Sequence, residues 1–224
     1  MPNKIIILII LLVSSLCLQG QSRMNRSKRY VLWFTPSGAS SIYGLAVGIM
    51  ADPEFTDDDH QEIYGINCEV GPWGAFAFLF VPLTTMFAPF SSETDPSQFL
   101  WSGNAYLEYE KPEIFIRGLN LSLGGHGGPT QITGISLNGV FTSTIISEGF
   151  SAALLMNVTY SFNGVMLSLR NKATTGKGLM FGMLNNCDDC TGVQIGFLNR
   201  MGRRVLPLIN WRRKSKRYDF RKRT

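Results

Sequence analysis

Between residues 41 and 199 apolar and polar side chains alternate in short runs, and each run is anchored on a glycine. Eight runs align: Gly44-Leu-Ala-Val-Gly-Ile, Gly65-Ile-Asn-Cys-Glu-Val, Gly118-Leu-Asn-Leu-Ser-Leu, Gly134-Ile-Ser-Leu-Asn, Gly149-Phe-Ser-Ala-Ala-Leu, Gly164-Val-Met-Leu-Ser-Leu, Gly178-Leu-Met-Phe-Gly-Met and Gly192-Val-Gln-Ile-Gly-Phe. The last six glycines are 16, 15, 15, 14 and 14 residues apart. Residues one, three and five steps after the glycine are apolar, as in Leu179, Phe181 and Met183, with Gly139 the exception. Those between are smaller or more polar, such as Asn120, Ser136, Ser168 and Gln194. Period-two alternation over about eight residues predicts strands, and no stretch carries the three-and-four spacing of an amphipathic helix. Two steps before the glycine, Ile42, Ile63, Ile116, Ile132 and Phe162 are apolar as well. The whole set, Cys68 included, is therefore expected to point inward.

A unit of this size fits two architectures. In a β-solenoid each unit of 14–16 residues is one coil, and equivalent positions stack about 4.8 Å apart. In an antiparallel meander or barrel each unit is one strand, and successive loops alternate between two ends. Asn171, Asn185 and Asn199 each fall seven residues after their glycine, with Asn157 one place late. Equivalent asparagines can hydrogen-bond up a parallel stack, whereas a meander would place them at alternate ends. The expected fold is an all-β solenoid, with the meander or barrel as the alternative.

These units also carry a resemblance. Gly192-Val-Gln-Ile-Gly-Phe-Leu-Asn199, Gly178-Leu-Met-Phe-Gly-Met-Leu-Asn185 and Leu206-Pro-Leu-Ile-Asn-Trp211 resemble an uncharacterised family of exported bacterial repeat proteins. That family carries tandem Gly-Leu-Gln-Ile-Gly-Leu-Ile-Asn units and a closing Leu-Pro-x-Ile-Asn-Trp segment. Tyr43-Gly-Leu-Ala-Val-Gly48 and Tyr64-Gly-Ile-Asn67 are similar to its opening units, and the resemblance spans most of residues 41–211. It implies a surface or envelope location and supplies no activity. The copies around Gly134 and Gly149 depart from the pattern, and the basic tail continues past the family's usual ending.

The ends complete the organisation. Lys4, the apolar run Ile5–Val13 and the small residues leading to Gly20 read as a secretory signal over residues 1–20. The run is too short to span a bilayer as a helix. Residues 21–40 form a lead-in, residues 41–211 the repeat domain, and residues 212–224 a basic tail. At about residues 72–105 the repeat is interrupted by an apolar insertion, from Gly74 to Phe90 at its most hydrophobic. Pro82 and Pro89 interrupt any helix there, and the segment is expected to cover an open end or face of the sheet. Leu206–Trp211 is expected to cap the C-terminal end, because Pro207 cannot continue a ladder.

Composition sharpens this picture in one respect. The formal charge of +5 in 224 residues is the residue of two opposed blocks. Residues 30–199 hold five basic and fifteen acidic side chains, whereas residues 200–224 hold eleven basic and one acidic. Any polyanion argument belongs to the ends, chiefly to Arg212, Arg213, Lys214, Lys216 and Arg217. In an exported protein those residues point to an anionic envelope surface, and nucleic acid is not expected.

Candidate chemistry is thin. The acidic loop Asp57-Asp-Asp-His-Gln-Glu62 lacks the spaced ligands of a calcium loop. His126, in Gly124-Gly-His-Gly-Gly128, has no nucleophile motif beside it, and Gly176-Lys177-Gly178 lacks the frame of a phosphate-binding loop. Cys187-Asp-Asp-Cys190 is a CxxC without the second pair that zinc wants. Its acidic neighbours raise a thiol pKa, which disfavours redox catalysis. A local disulfide is the expected role. No catalytic residue, cofactor or metal site is expected, and the specific partner is unknown. The reading is a non-enzymatic exported envelope or surface protein that binds or scaffolds, in the periplasm, at the outer membrane or on the cell surface. An outer-membrane β-barrel serving as pore or anchor is the alternative.

Overall fold

The computed structural model describes residues 28–52, 60–71 and 111–213. Its eleven strands are β1 (Lys28–Thr35), β2 (Ser41–Gly48), β3 (Gln61–Glu69), β4 (Ile114–Ser122), β5 (Gly125–His126), β6 (Thr130–Asn138), β7 (Phe141–Ala153), β8 (Met156–Leu167), β9 (Arg170–Phe181), β10 (Leu184–Met201) and β11 (Arg204–Arg212). No helix occurs among the described residues. Consecutive strands pair in parallel in the order β1-β2-β3-β4-β6-β7-β8-β9-β10, with the short β5 pairing β7. The chain is a β-solenoid. Its parallel stack is not the closed antiparallel sheet of a barrel.

Register follows the glycines without a slip. Gly44 lies against Gly65, Gly65 against Gly118, Gly118 against Gly134, and the column continues through Gly149, Gly164, Gly178 and Gly192. All eight have positive φ, between 116° and 142°. That conformation is open to glycine and costly for other residues. The stack enforces the choice a second way: a Cβ on Gly164 would collide with the carbonyl oxygen of Gly149 in the coil below.

The observed burial corrects the expected side-chain directions. A regular strand alternates sides at every residue, so the residues two places before and two places after each glycine share one side and the odd positions take the other. Ile42, Ile63, Ile116 and Ile132, two places before the glycine, are buried as expected. Two places after it, the buried residues are Ala46, Asn67, Asn120, Ser136, Ser151, Met166, Met180 and Gln194. The apolar residues one, three and five places after the glycine face outward, and Cys68, expected inward, is only half-buried.

The interior is narrow and changes character along the axis. The N-terminal coils enclose Ala39, Ile42, Ile63, Ile114, Ile116 and Ile132. The C-terminal coils enclose Phe162, Met166, Ala173 and Met180 beside Cys187 and Cys190. Polar side chains fill the remainder and satisfy one another in the stacking direction. Asn171 Nδ2 donates to Asn185 Oδ1 at 2.8 Å, and Asn185 Nδ2 donates to Asn199 Oδ1 at 2.8 Å. The expected asparagine ladder is present. A second line runs from Asn67 Nδ2 to Asn120 Oδ1 at 2.8 Å and from Asn120 Nδ2 to Ser136 Oγ at 3.1 Å.

Both ends differ from the repeat. β1 pairs in parallel with β2, so the stack begins within the segment read as lead-in. Val31 stands where the glycine should be, with φ 76°, and this explains why the sequence pattern hides that coil. At the other end β11 turns back antiparallel to β10, with Pro207 opposite Leu198 at a register shift. Proline thus sits on the strand that ends the parallel stack.

Candidate functional site

The glycine bend divides the outer surface of the solenoid into two unlike faces. Before the bend, the outward positions carry Tyr43, Tyr64, Arg117, Thr133, Glu148, Asn163 and Lys177. Polar partners hold this face in place. Arg117 lies over the Tyr64 ring at 4.9 Å and bridges to Glu62 at 3.1 Å, and the rings of Tyr30, Tyr43 and Tyr64 stack at 5.3 and 4.9 Å.

After the bend, the outward positions one, three and five places beyond the glycine carry apolar side chains, with Gly139 the exception, and none is charged. Leu123 is 78% exposed, Leu154 67% and Phe197 71%. Ile66, Val70, Ile135, Leu137, Leu167, Phe181, Met183 and Val193 are also exposed. In the parallel register these side chains form three straight columns that run the length of the stack. Columns three and five flank a groove floored by the small or inward-turned residues of position four. It is widest at two places. One opening, of about 650 Å³, lies among Val47, Cys68, Val70, Leu121, Leu123 and Leu137. The other, of about 470 Å³, lies among Leu154, Leu167, Leu169, Phe181, Met183 and Phe197. This face can bury apolar matter, and its outward columns hold no charged side chain; Cys68, a free thiol, is half-buried within it.

The residues singled out from the sequence fall elsewhere. Cys187 and Cys190 are buried in the coil of Gly192, their Cα atoms 5.9 Å apart and their sulfurs in contact. That separation is within the disulfide range. Arg212 is held inside the cap, with Nη1 3.2 Å from Asp189 Oδ1 and Nη2 donating to the Met201 carbonyl at 3.2 Å. Its guanidinium is committed there and is poorly placed to meet an external anion. Arg213 is exposed. Lys214, Lys216 and Arg217, the signal at 1–20, the insertion at 72–105 and Asp57–Asp59 of the acidic loop lie outside the described residues.

His126 gains partners that the sequence did not announce. Its Nδ1 is 2.5 Å from Glu69 Oε1 and its Nε2 2.9 Å from Thr130 Oγ1, and all three residues are buried. Asn67 Nδ2 donates to the other Glu69 oxygen at 3.2 Å. Burial alone would raise the Glu69 pKa. The His126 charge and the hydrogen bonds from His126, Asn67 and the Ala51 amide outweigh it and hold the carboxyl below its ordinary value. The order Glu–His–Thr is that of a relay, and all three side chains are buried inside the coil. Among the described residues no cluster of three or more His, Cys, Asp or Glu is arranged to hold a metal ion.

Sequence reading missed the apolar columns as a surface feature. The signal was present: the residues two places before and one place after the glycine are three apart, so an alternating strand cannot turn both sets inward. No protein-family model matches the chain, and neither a curated protein nor a solved structure is similar to it at a significant level.

Proposed function

We propose that the chain is an exported, non-enzymatic envelope or surface protein that binds or scaffolds through the apolar outer face of its solenoid. One observation carries this reading. Over eight coils the chain places Leu, Ile, Val, Phe and Met where solvent would favour polar side chains, while the neighbouring outward face is polar. Continuous apolar patches of more than a few hundred Å² mark interaction surfaces. The apolar leader at residues 5–13 and the resemblance of residues 178–211 to exported repeat proteins support an envelope location. A disulfide between Cys187 and Cys190 suits an oxidising compartment. Contact of the tail with an anionic envelope surface is proposed for Arg213, Lys214, Lys216 and Arg217, with Arg212 serving the cap instead.

The test is position-specific photocrosslinking in cells that produce the protein. A photoreactive residue at Leu137 or Phe181, on the apolar face, should give crosslinked products. The same residue at Thr133 or Asn163, on the polar face, should give few. Equal yields from the two faces, or none from the apolar one, would remove the basis for the proposal.

A further inference from the structure

We infer that the occupant of the apolar face is a second copy of the same chain, seated face to face. The inference rests on the functional reading above and names the partner it leaves open.

Three observations select this occupant. The first is periodicity. The columns repeat at the coil spacing of about 4.8 Å, and the glycine register holds that spacing without interruption through eight coils. A partner must match that repeat to keep its side chains in step with all of them. Another copy matches it by construction, and an irregular protein surface does not.

The second is relief. The face carries ridges three and five places after each glycine with a groove between them. Gly48, Gly182 and Gly196 lie on the groove floor, so it is low. A half-column slide seats a ridge of one copy in the groove of the other, and the same patch serves both partners, as an isologous contact requires.

The third is size and charge. Eight coils at about 4.8 Å, by five residues at about 3.3 Å, give a footprint of roughly 600 Å² per copy before side-chain relief. Together the two copies reach the lower bound of a standard-size interface, about 1,200 Å². The face itself is uncharged, so two copies meet without electrostatic conflict.

The experiment is sedimentation equilibrium of the purified mature chain over a wide concentration range, with circular dichroism to report the fold. The parent should sediment at twice the chain mass. Leu167→Asp and, independently, Leu137→Lys should weaken self-association at least ~30-fold while keeping the parent's β-sheet spectrum. Asn163→Asp on the polar face should leave self-association unchanged.

A parent that stays monomeric at every concentration overturns the inference, as does a dimer that both face variants keep. A monomer that binds neutral phosphatidylcholine vesicles, and loses that binding in Leu167→Asp, shows a lipid surface to be the occupant. A monomer that neither associates nor binds vesicles points to residues 72–110 of the same chain. In both of those cases the inference falls. The functional reading falls separately, if crosslinking from Leu137 and Phe181 yields no intermolecular product at all.

Discussion

At the scale of single residues, the molecule turns on a few positions where sequence pattern and physical role diverge. Glu69 is one. Its carboxylate is buried, yet its pKa is held below the ordinary value because His126, Asn67 and the Ala51 amide outweigh the cost of burial. A carboxyl whose pKa is lower folded than unfolded adds stability above its unfolded value, about 4.3. That contribution is lost as pH falls through the folded value. The thermal midpoint should therefore decline with acidification below about pH 4. Glu69→Gln should lower stability at neutral pH and flatten that acid limb, and midpoints recorded from pH 7 to pH 3 read both effects. An acid limb unchanged in Glu69→Gln would show that the buried pair does not govern it. None of this was legible in the sequence. Glu69 and His126 are 57 positions apart, and only the stacking of β3 under the turn at Gly125 brings them together.

At the scale of the coil, the glycine and the asparagine do complementary work. The glycine sets the bend and the asparagine ties successive bends together. Asn185 accepts from Asn171, reaches Asn199 and also donates to the Gly182 and Ile195 carbonyls, all without solvent contact. Truncating it strands a buried donor above and a buried acceptor below, each worth about 1–3 kcal/mol. Asn185→Ala should cost ~2–4 kcal/mol in urea unfolding, and Asn163→Ala, exposed on the polar face, less than about 0.5 kcal/mol. Equal costs would mean that the ladder does not hold the coils.

The ladder was legible because a seven-residue offset repeated three times survives in any alignment of the units. The side-chain directions after the bend were not. Leu119, Leu121 and Leu123 alternate as regularly in the sequence as any buried strand does, and alternation alone does not state which side is in. The burial of Ile116, opposite to them in parity, decides it. β1 was missed for a related reason: with Val31 in the glycine's place, the most visible mark of a coil was missing.

At the scale of the whole molecule, the solenoid has a polar outer face, an apolar outer face and a mixed interior of isoleucine, methionine and hydrogen-bonded polar groups. A globular domain would bury its strongest apolar pattern. Here much of that pattern is displayed, and the interior is held as much by ladders as by apolar contact. Long flat stacks of this kind are stabilised by side-chain ladders, which frees the outer columns for another task. The charge follows the same division, with an acidic body and the basic side chains gathered at the ends.

The central claim is that the apolar columns after each glycine face out and the residues between them face in. Adjacent residues on one strand test it. Met166 is buried, and Leu167, one place further along β8, is 39% exposed. Aspartate placed at each in turn, followed by circular dichroism and urea unfolding, gives the most direct reading. The account predicts that Leu167→Asp folds with a β-sheet spectrum like the parent's, and that Met166→Asp fails to fold because it buries an unpaired charge. The opposite pairing, with Met166→Asp tolerated and Leu167→Asp unfolded, would contradict it.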